Sequence, residues 1–340
     1  MSHSDPAAPP AFADIETAAR RLRGQAVVTP LLSSAALDSM TGMRLLVKAE
    51  CLQRTGSFKF RGAYNAISAL PQDERRAGVV ACSSGNHAQG VAEAARLFGI
   101  PAMIVMPTNA PTLKVERTRR SGAEIIPYDR ATGDRDDIAD EFSRRTGARL
   151  IHPYDNPDVI AGQGTCGLEI CEQLETNGLT PDRVLVCTGG GGLTAGIAVA
   201  IHERYPEAKI YSCEPEGFDD HRRSLESGKR EANDRMVGSA CDALLSPSPG
   251  EITFQVNLAH LSGGFAVSDA QAFAAMRTAF AELKLVLEPG GAVALAAALA
   301  NAEQRAEQRA EQWQGETVVC VLSGGNVDPQ LFAEVLAGRA

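Results

Sequence analysis

Short β-branched runs alternate with helix-forming stretches through most of this chain, and that alternation restricts the fold more than any other feature. Apolar runs extend from Val79 to Cys82, Ala102 to Met106, Glu124 to Pro127, Leu150 to His152, Val184 to Cys187, Ile210 to Cys213 and Val318 to Leu322. Helical patterns fall between them, from Ala88 to Phe98, Pro111 to Ser121, Asp136 to Arg145 and Leu193 to Arg204. Strands that take turns with helices pair in parallel, and the crossover helices cover both faces of the sheet. The expected class is α/β with doubly wound parallel sheets, whose ligands sit outside the carboxyl ends of the strands. A chain of 340 residues supplies one large or two medium domains.

Charge and composition narrow the function. The net charge of −9 argues against a nucleic-acid partner. Eight cysteines contain no CxxC pair, and Cys82, Cys187, Cys213 and Cys320 lie in or beside strand-like runs, as buried thiols do in a reducing cytosol. The start, MSHSDPAAPPAFAD, lacks the basic and apolar regions of a signal peptide. The longest apolar run, Ala292 to Ala300, is too short for a bilayer. We expect a cytoplasmic protein without membrane spans, with disorder over residues 1–12. The repeated Ala-Glu-Gln-Arg tract from Asn301 to Gln314 reads as a solvated surface helix.

Three glycine-bearing turns follow strand-like runs directly: Ser83-Ser84-Gly85-Asn86, Gly189 to Gly192, and Ser323-Gly324-Gly325-Asn326. Such turns present backbone N–H groups at helix N-termini, where anions bind. The run CTGGGGLTAG has two readings. Its glycines let the backbone wrap a phosphate closely. Gly190, Gly192 and Ala195 also fit a relaxed dinucleotide pattern, with Glu214 near the position of a ribose-binding acid. Lys59, between an N-cap-like Ser57 and a helical pattern, is similarly double. Among Phe58, Phe60 and Tyr64 it can snorkel from a helix surface, or lose basicity by desolvation and attack a carbonyl.

Four motifs in order, SFKFRGAYNAI, SSGNHAQGVA, the glycine run and VLSGGN, resemble those of pyridoxal-phosphate enzymes of the tryptophan-synthase β fold type. Within that group the chain is similar to the threonine/serine dehydratase and serine racemase family, from about Thr29 to Asp328. The resemblance implies a larger cofactor-binding domain of residues 1–65 with 156–340 and a smaller, mobile domain of residues 66–155. The active site would lie between them. It implies a small amino-acid substrate, a homodimer, and conversion of a β-hydroxy amino acid to a 2-oxo acid and ammonia. L-Threonine and L-serine are the default substrates; threo-3-hydroxyaspartate dehydration and serine or aspartate racemisation are the alternatives. A nicotinamide-dependent oxidoreductase is a distant one.

Position by position, the resemblance assigns Lys59 to a Schiff base with pyridoxal phosphate and to proton transfer. Asn86 would meet the ring oxygen, Gly189, Gly190, Gly191 and Gly192 with Thr194 the phosphate, and Ser323 the pyridine nitrogen. Glu288 would lie beside the ring. Ser84 would be an acid/base on the opposite face, or simply cap the following helix. Ser83, Ser84, Asn86 and His87 would surround the substrate carboxylate, with His87 alternatively a wall residue. Arg135 would read a second carboxylate, or belong to a solvated face. Glu214, the Phe218 carbonyl and Asp220 match a structural Mg²⁺ site (or Ca²⁺/Mn²⁺), since hard cations collect oxygens. An acidic loop in water is the other reading of that cluster.

Overall fold

The computed structural model describes residues 8–110, 112–129, 134–306 and 313–340. Ten strands are β1 (Leu31–Ser33), β2 (Arg44–Lys48), β3 (Val79–Cys82), β4 (Ala102–Pro107), β5 (Glu124–Tyr128), β6 (Arg149–Leu150), β7 (Arg183–Cys187), β8 (Lys209–Pro215), β9 (Gly263–Val267) and β10 (Thr317–Val321). They form two sheets. One has six strands in the order β1-β2-β10-β7-β8-β9, the other four in the order β5-β4-β3-β6. Every pairing is parallel except β1 with β2. This is the doubly wound α/β class that the alternation requires.

The strands carry continuous apolar runs because both faces are covered: β3 and β7 are buried at every position. The helices Pro157–Thr176 and Gly192–Arg204 approach so closely that a Cβ at Gly196 would lie 2.4 Å from the Ile160 carbonyl oxygen. Helix starts differ from the sequence reading by one or two residues, at Asn86, Arg135 and Gly192. Phe12, expected in a disordered start, opens the helix Phe12–Leu22, and Asp14 accepts from the Ala11 N–H at 2.8 Å. Residues 1–7, Pro111, Arg130 and residues 307–312 of the Ala-Glu-Gln-Arg tract lie outside the described residues.

The helix Lys59–Ala69 is shared by the two halves. Its Phe60, Ala63 and Ile67 join the core under β3 and β4. Its Arg61 turns the other way, into a charge network in which Arg61, Glu50 and Lys48 are fully buried and Glu169 nearly so. The guanidinium donates to both Glu50 oxygens at 2.8 Å and to the Glu169 oxygens at 2.7 and 2.8 Å. Lys48, also fully buried, donates to Glu169 at 2.6 Å and to the Thr29 carbonyl at 2.7 Å. Burial pushes the Glu50 carboxyl up, but Arg61, Lys48 and Thr29 outweigh it and hold the carboxyl below its ordinary 4.5. Residue 65, where the sequence reading divides the chain, falls inside this helix. We retain that division as a proposal in which the helix serves both units.

Removing Arg61 strands the Glu50 charge in the interior. Arg61→Leu should therefore cost about 3–5 kcal/mol in a urea titration at neutral pH. Arg96→Leu, which removes an exposed guanidinium beside Glu93, should leave the midpoint nearly unchanged. Because the folded-state pKa of Glu50 is depressed, its contribution is whole above 4.5 and disappears as pH falls through the folded value. Equal midpoints for the two variants would contradict this account.

Candidate active site

Turns at the carboxyl ends of β3, β7 and β10 converge on one cavity of about 400 Å³. Its lining includes Lys59, Ser83, Ser84, Asn86, His87, Arg135, Gly189 to Gly192, Thr194, Glu288 and Ser323. Thus every residue that the sequence marks for cofactor or substrate meets there, from separate stretches of chain. Glu214, Phe218 and Asp220 belong to a different cluster behind the glycine loop.

Lys59 is the first residue of its helix. Ser57 is not the N-cap; Phe58 occupies that position, and its N–H donates to the Ser323 carbonyl at 3.1 Å. A bridge between Ser57 and Gly324 ties the same segments together. This clamp directs the Lys59 side chain into the cavity, where its Nζ donates to the Pro153 carbonyl at 2.7 Å. The snorkelling alternative fails on that geometry. Part of the stem touches solvent-accessible space, yet burial of the amine lowers its pKa from 10.5 to about 8.

In the β3 turn the cap of the helix Asn86–Phe98 is Gly85, which has no side chain to bond. Ser83 Oγ accepts from the Gly85 N–H at 3.1 Å. Ser84 does not cap the helix; it lines the cavity, with no hydrogen bond to another described residue. Asn86 is fixed from two sides. Its Nδ2 donates to Glu288 Oε1 at 2.5 Å, and its Oδ1 accepts from Asn326 Nδ2 at 2.8 Å. An amide nitrogen carries two N–H groups, so one is left for a ligand. His87 is buried, with Nε2 at 2.8 Å from the Ile151 carbonyl and Nδ1 unpartnered. Burial, and then the Lys59 charge, lower its pKa to about 3. The ring is neutral, its proton goes to the carbonyl, and Nδ1 presents a lone pair. That suits a wall residue better than a carboxylate ligand.

In the β7 turn, Gly191 has φ +93 and precedes the helix Gly192–Arg204 as its cap. A Cβ at Gly190 would lie 2.3 Å from the Tyr154 ring, and one at Gly191 would lie 2.4 Å from His221 Nε2. The loop is held by Gly190, whose carbonyl accepts from Thr253 Oγ1 at 2.7 Å and the Gly250 N–H at 3.3 Å. Only a side-chain-free turn fits, and its N–H groups and helix dipole suit a phosphate. Thr194 Oγ1 lies 2.7 Å from Thr188 Oγ1, whose own proton goes to the Val186 carbonyl. Thr194 therefore donates to Thr188, and acts as a post beneath the loop. Ser323, in the turn after the neighbouring strand β10, is buried and lines the same cavity.

Among the described residues, two arginines line the cavity. Arg135 begins the helix Arg135–Thr146 and is exposed, and its carbonyl accepts from Cys82 Sγ at 3.1 Å. Arg117, from the helix Thr112–Arg120, is the second, and it is half-buried. Sequence reasoning missed Arg117, along with Tyr154 and Asn326. Only Asn326 had a local signal, the turn it ends.

Glu214 does not face the cavity, which removes the ribose-binding acid of the dinucleotide reading. It is fully buried at the end of β8, where its oxygens accept from the His221 and Arg222 N–H groups at 2.8 Å each. Asp220 is also fully buried; Oδ1 accepts from Asn233 at 2.7 Å and Oδ2 has no partner. Burial pushes Asp220 up to about 7 and Glu214 well above its ordinary range, the latter helped by the Asp220 charge. Phe218 is buried in the intervening turn, its N–H on the Pro215 carbonyl. A third side chain, His221, joins the two carboxylates.

The donor set fits pyridoxal phosphate. An amine of lowered basicity, a glycine cradle that a Cβ would fill, a spare amide N–H on Asn86 and the Ser323 hydroxyl share one cavity. The family model described as "Pyridoxal-phosphate dependent enzyme" matches residues 22–324. An L-threo-3-hydroxyaspartate ammonia-lyase of Pseudomonas sp is 43% identical over 327 residues, covering 96% of this chain and 98% of the relative. A serine racemase of Schizosaccharomyces pombe is 37% identical, covering 96% and 98%. The crystal structure of a T.th. threonine deaminase is 42% identical with a TM-score of 0.86, covering 94% of this chain and 99% of that one.

Since only the uncharged amine attacks a carbonyl, condensation of Lys59 with an added aldehyde should accelerate as pH rises and level off above about 8. Borohydride trapping followed by peptide mass spectrometry measures this site by site. A rise that continues towards 10.5 would show an ordinary lysine.

Proposed function

The chain belongs to the family of pyridoxal-phosphate-dependent enzymes, and from that premise we propose that it removes water and ammonia from a β-hydroxy amino acid bearing a second carboxylate, of the 3-hydroxyaspartate type. The observation that carries this reading is the pair Arg117 and Arg135 on the wall of the Lys59 cavity. Guanidinium groups bind carboxylates through paired N–H donors. The hydroxyaspartate ammonia-lyase similarity supports the same substrate class. L-Threonine and L-serine are the second reading, favoured by the likeness to threonine deaminase.

Lys59 would hold the cofactor through its amine, the Gly189 to Gly192 amides its phosphate, Asn86 its ring oxygen and Ser323 its ring nitrogen, with Glu288 fixing Asn86. When bound, the cofactor withdraws electrons from the substrate α-carbon, making the α-proton acidic and the β-substituent easier to lose. Lys59 Nζ, with its pKa near 8, takes the α-proton. Ser84 Oγ is the second proton carrier in the cavity. Ser83 and the N-terminal amides of the helix Asn86–Phe98 hold the α-carboxylate, while His87 packs behind them. Arg117 and Arg135 take the distal carboxylate. Water lost across Cα–Cβ returns when nitrogen leaves, so the products are a 2-oxo acid and ammonia.

We also propose a divalent cation at Glu214 and Asp220, supported by the unpartnered Asp220 Oδ2. A homodimer is the expected assembly; Val27, Val28 and Leu52 are exposed near Gln53, which bonds Val27, and offer it apolar surface. No helix among the described residues is long and apolar enough to cross a membrane. A cytoplasmic location fits the unpaired cysteines.

The test is keto-acid release from serine, threonine, phenylserine, and threo- and erythro-3-hydroxyaspartate. Hydroxyaspartate should give the highest kcat/KM, and Lys59→Ala should abolish release. Arg117→Ala and Arg135→Ala should each raise KM for hydroxyaspartate about tenfold to hundredfold and leave serine nearly unchanged. Equal losses on serine would mean that the arginines do not read the second carboxylate.

A further inference from the structure

Behind the glycine loop, His221 lacks the partners that a buried imidazole needs. The residue is fully buried, and neither ring nitrogen has a hydrogen-bond partner. Nδ1 lies 3.9 Å from Glu214 Oε1 and 3.8 Å from Asp220 Oδ2, too far for hydrogen bonds. Nε2 lies against the glycine loop, 2.4 Å from where a Gly191 Cβ would be. Burial drives the ring towards its neutral form, opposed only in part by the Gly189 backbone. A neutral imidazole has one N–H and one lone pair. Nδ1 and Asp220 Oδ2 therefore face a common space with nothing to satisfy them, and Glu214 Oε1, which accepts from the His221 backbone N–H, borders the same space with a second lone pair.

A cation in that space satisfies both unpartnered atoms and takes up the remaining lone pair of Glu214 Oε1. Two donors each about 2.1 Å from one ion are at most about 4.2 Å apart, so separations of 3.8 and 3.9 Å fall within its span. Ligand atoms of Glu214, Asp220 and His221 lie within 4.8 Å of one another. We propose that His221 Nδ1 is a direct ligand of the cation held by Glu214 and Asp220, making this a mixed nitrogen–oxygen site for a first-row transition-metal dication. This extends the cation reading above and rests on it. An all-oxygen shell suits Mg²⁺ and Ca²⁺, whereas an imidazole ligand shifts preference towards Fe²⁺, Ni²⁺ or Zn²⁺, with Mn²⁺ able to take either kind of shell. Coordination through Nδ1 also fixes the tautomer, putting the proton on Nε2. Metal-bound histidines donate that second N–H to a backbone carbonyl or carboxylate, and here it faces the glycine loop. The ion thereby steadies the loop from behind.

Pulsed electron paramagnetic resonance on chelator-stripped holoenzyme reloaded with Mn²⁺ detects a directly bonded ¹⁴N without reference to activity. The expected result is one Mn²⁺ per chain with imidazole nitrogen coupling. The coupling disappears in His221→Gln, and Mn²⁺ affinity falls about tenfold or more while Ca²⁺ affinity falls less. Mn²⁺ bound to the wild type without nitrogen coupling overturns the ligand assignment and leaves the cation reading standing. Coupling that survives in His221→Gln points to another imidazole and overturns it too. Failure of the wild type to take up Mn²⁺ overturns both readings. The wild-type spectrum decides the matter even if the variant does not fold.

Discussion

The position of Lys59 depends on Arg61, two residues along the same helix. A guanidinium with no solvent contact is tolerable only where its charge is cancelled and its N–H groups are occupied. Glu50 and Glu169 do both, and Lys48 restores neutrality to the group. Glu50 follows β2, and Glu169 lies in the helix Pro157–Thr176, so the network fixes the helix start against two other elements. The Ser57–Gly324 bridge and the Phe58–Ser323 hydrogen bond then leave the Lys59 backbone no alternative course. A charge network buried at this cost is a poor source of net stability, but it sets orientation sharply. Orientation is what the cavity needs.

Desolvation acts on the two sites with opposite consequences. At Lys59 it disfavours the ammonium, and so supplies an amine able to attack and to accept a proton near neutral pH. At Glu214 and Asp220 it disfavours the carboxylates, which raises their demand for a compensating positive charge. The two sites share the glycine loop as a wall. Its front is bare backbone towards the cavity, and its rear touches His221. One absence of side chains therefore leaves bare backbone on one face, where we propose that a phosphate sits, and allows close packing on the other.

Much of this was legible before the fold was known, for a local reason. A lysine at a helix start, a turn of four glycines and the SSGN and SGGN turns each carry their chemistry within a few residues. Strand alternation then says at which end of the sheet they gather. Arg117, Tyr154 and His221 carry no such pattern. Arg117 is one of several arginines in a polar helix, and only the fold separates it from Arg119 and Arg120. His221 adjoins Asp220 in sequence, yet its meaning comes from burial, which the local polar sequence around it hides. Of the two readings of Ser84, the cap gives way because Gly85 takes that place, and a glycine offers no side-chain signal of a helix start.

If Arg117 and Arg135 read a distal carboxylate, as we propose, the exposure of Arg135 limits how selective the cavity can be. A buried cation left without its carboxylate would penalise serine by many kcal/mol, as sites built around enclosed polar groups do. An exposed guanidinium is rehydrated when the distal carboxylate is missing, so little is lost except the attraction itself. Together with the half-buried Arg117, it can give preference for a dicarboxylate without excluding the smaller β-hydroxy amino acids. The chemistry at Lys59 is the same for all of them, because it acts at Cα and Cβ. In that proposal, substrate class would be set by Arg117 and Arg135, on the helices Thr112–Arg120 and Arg135–Thr146, while the reacting end at Lys59 stays constant. Such a division would be consistent with threonine, serine and hydroxyaspartate enzymes appearing together among the proteins similar to this chain.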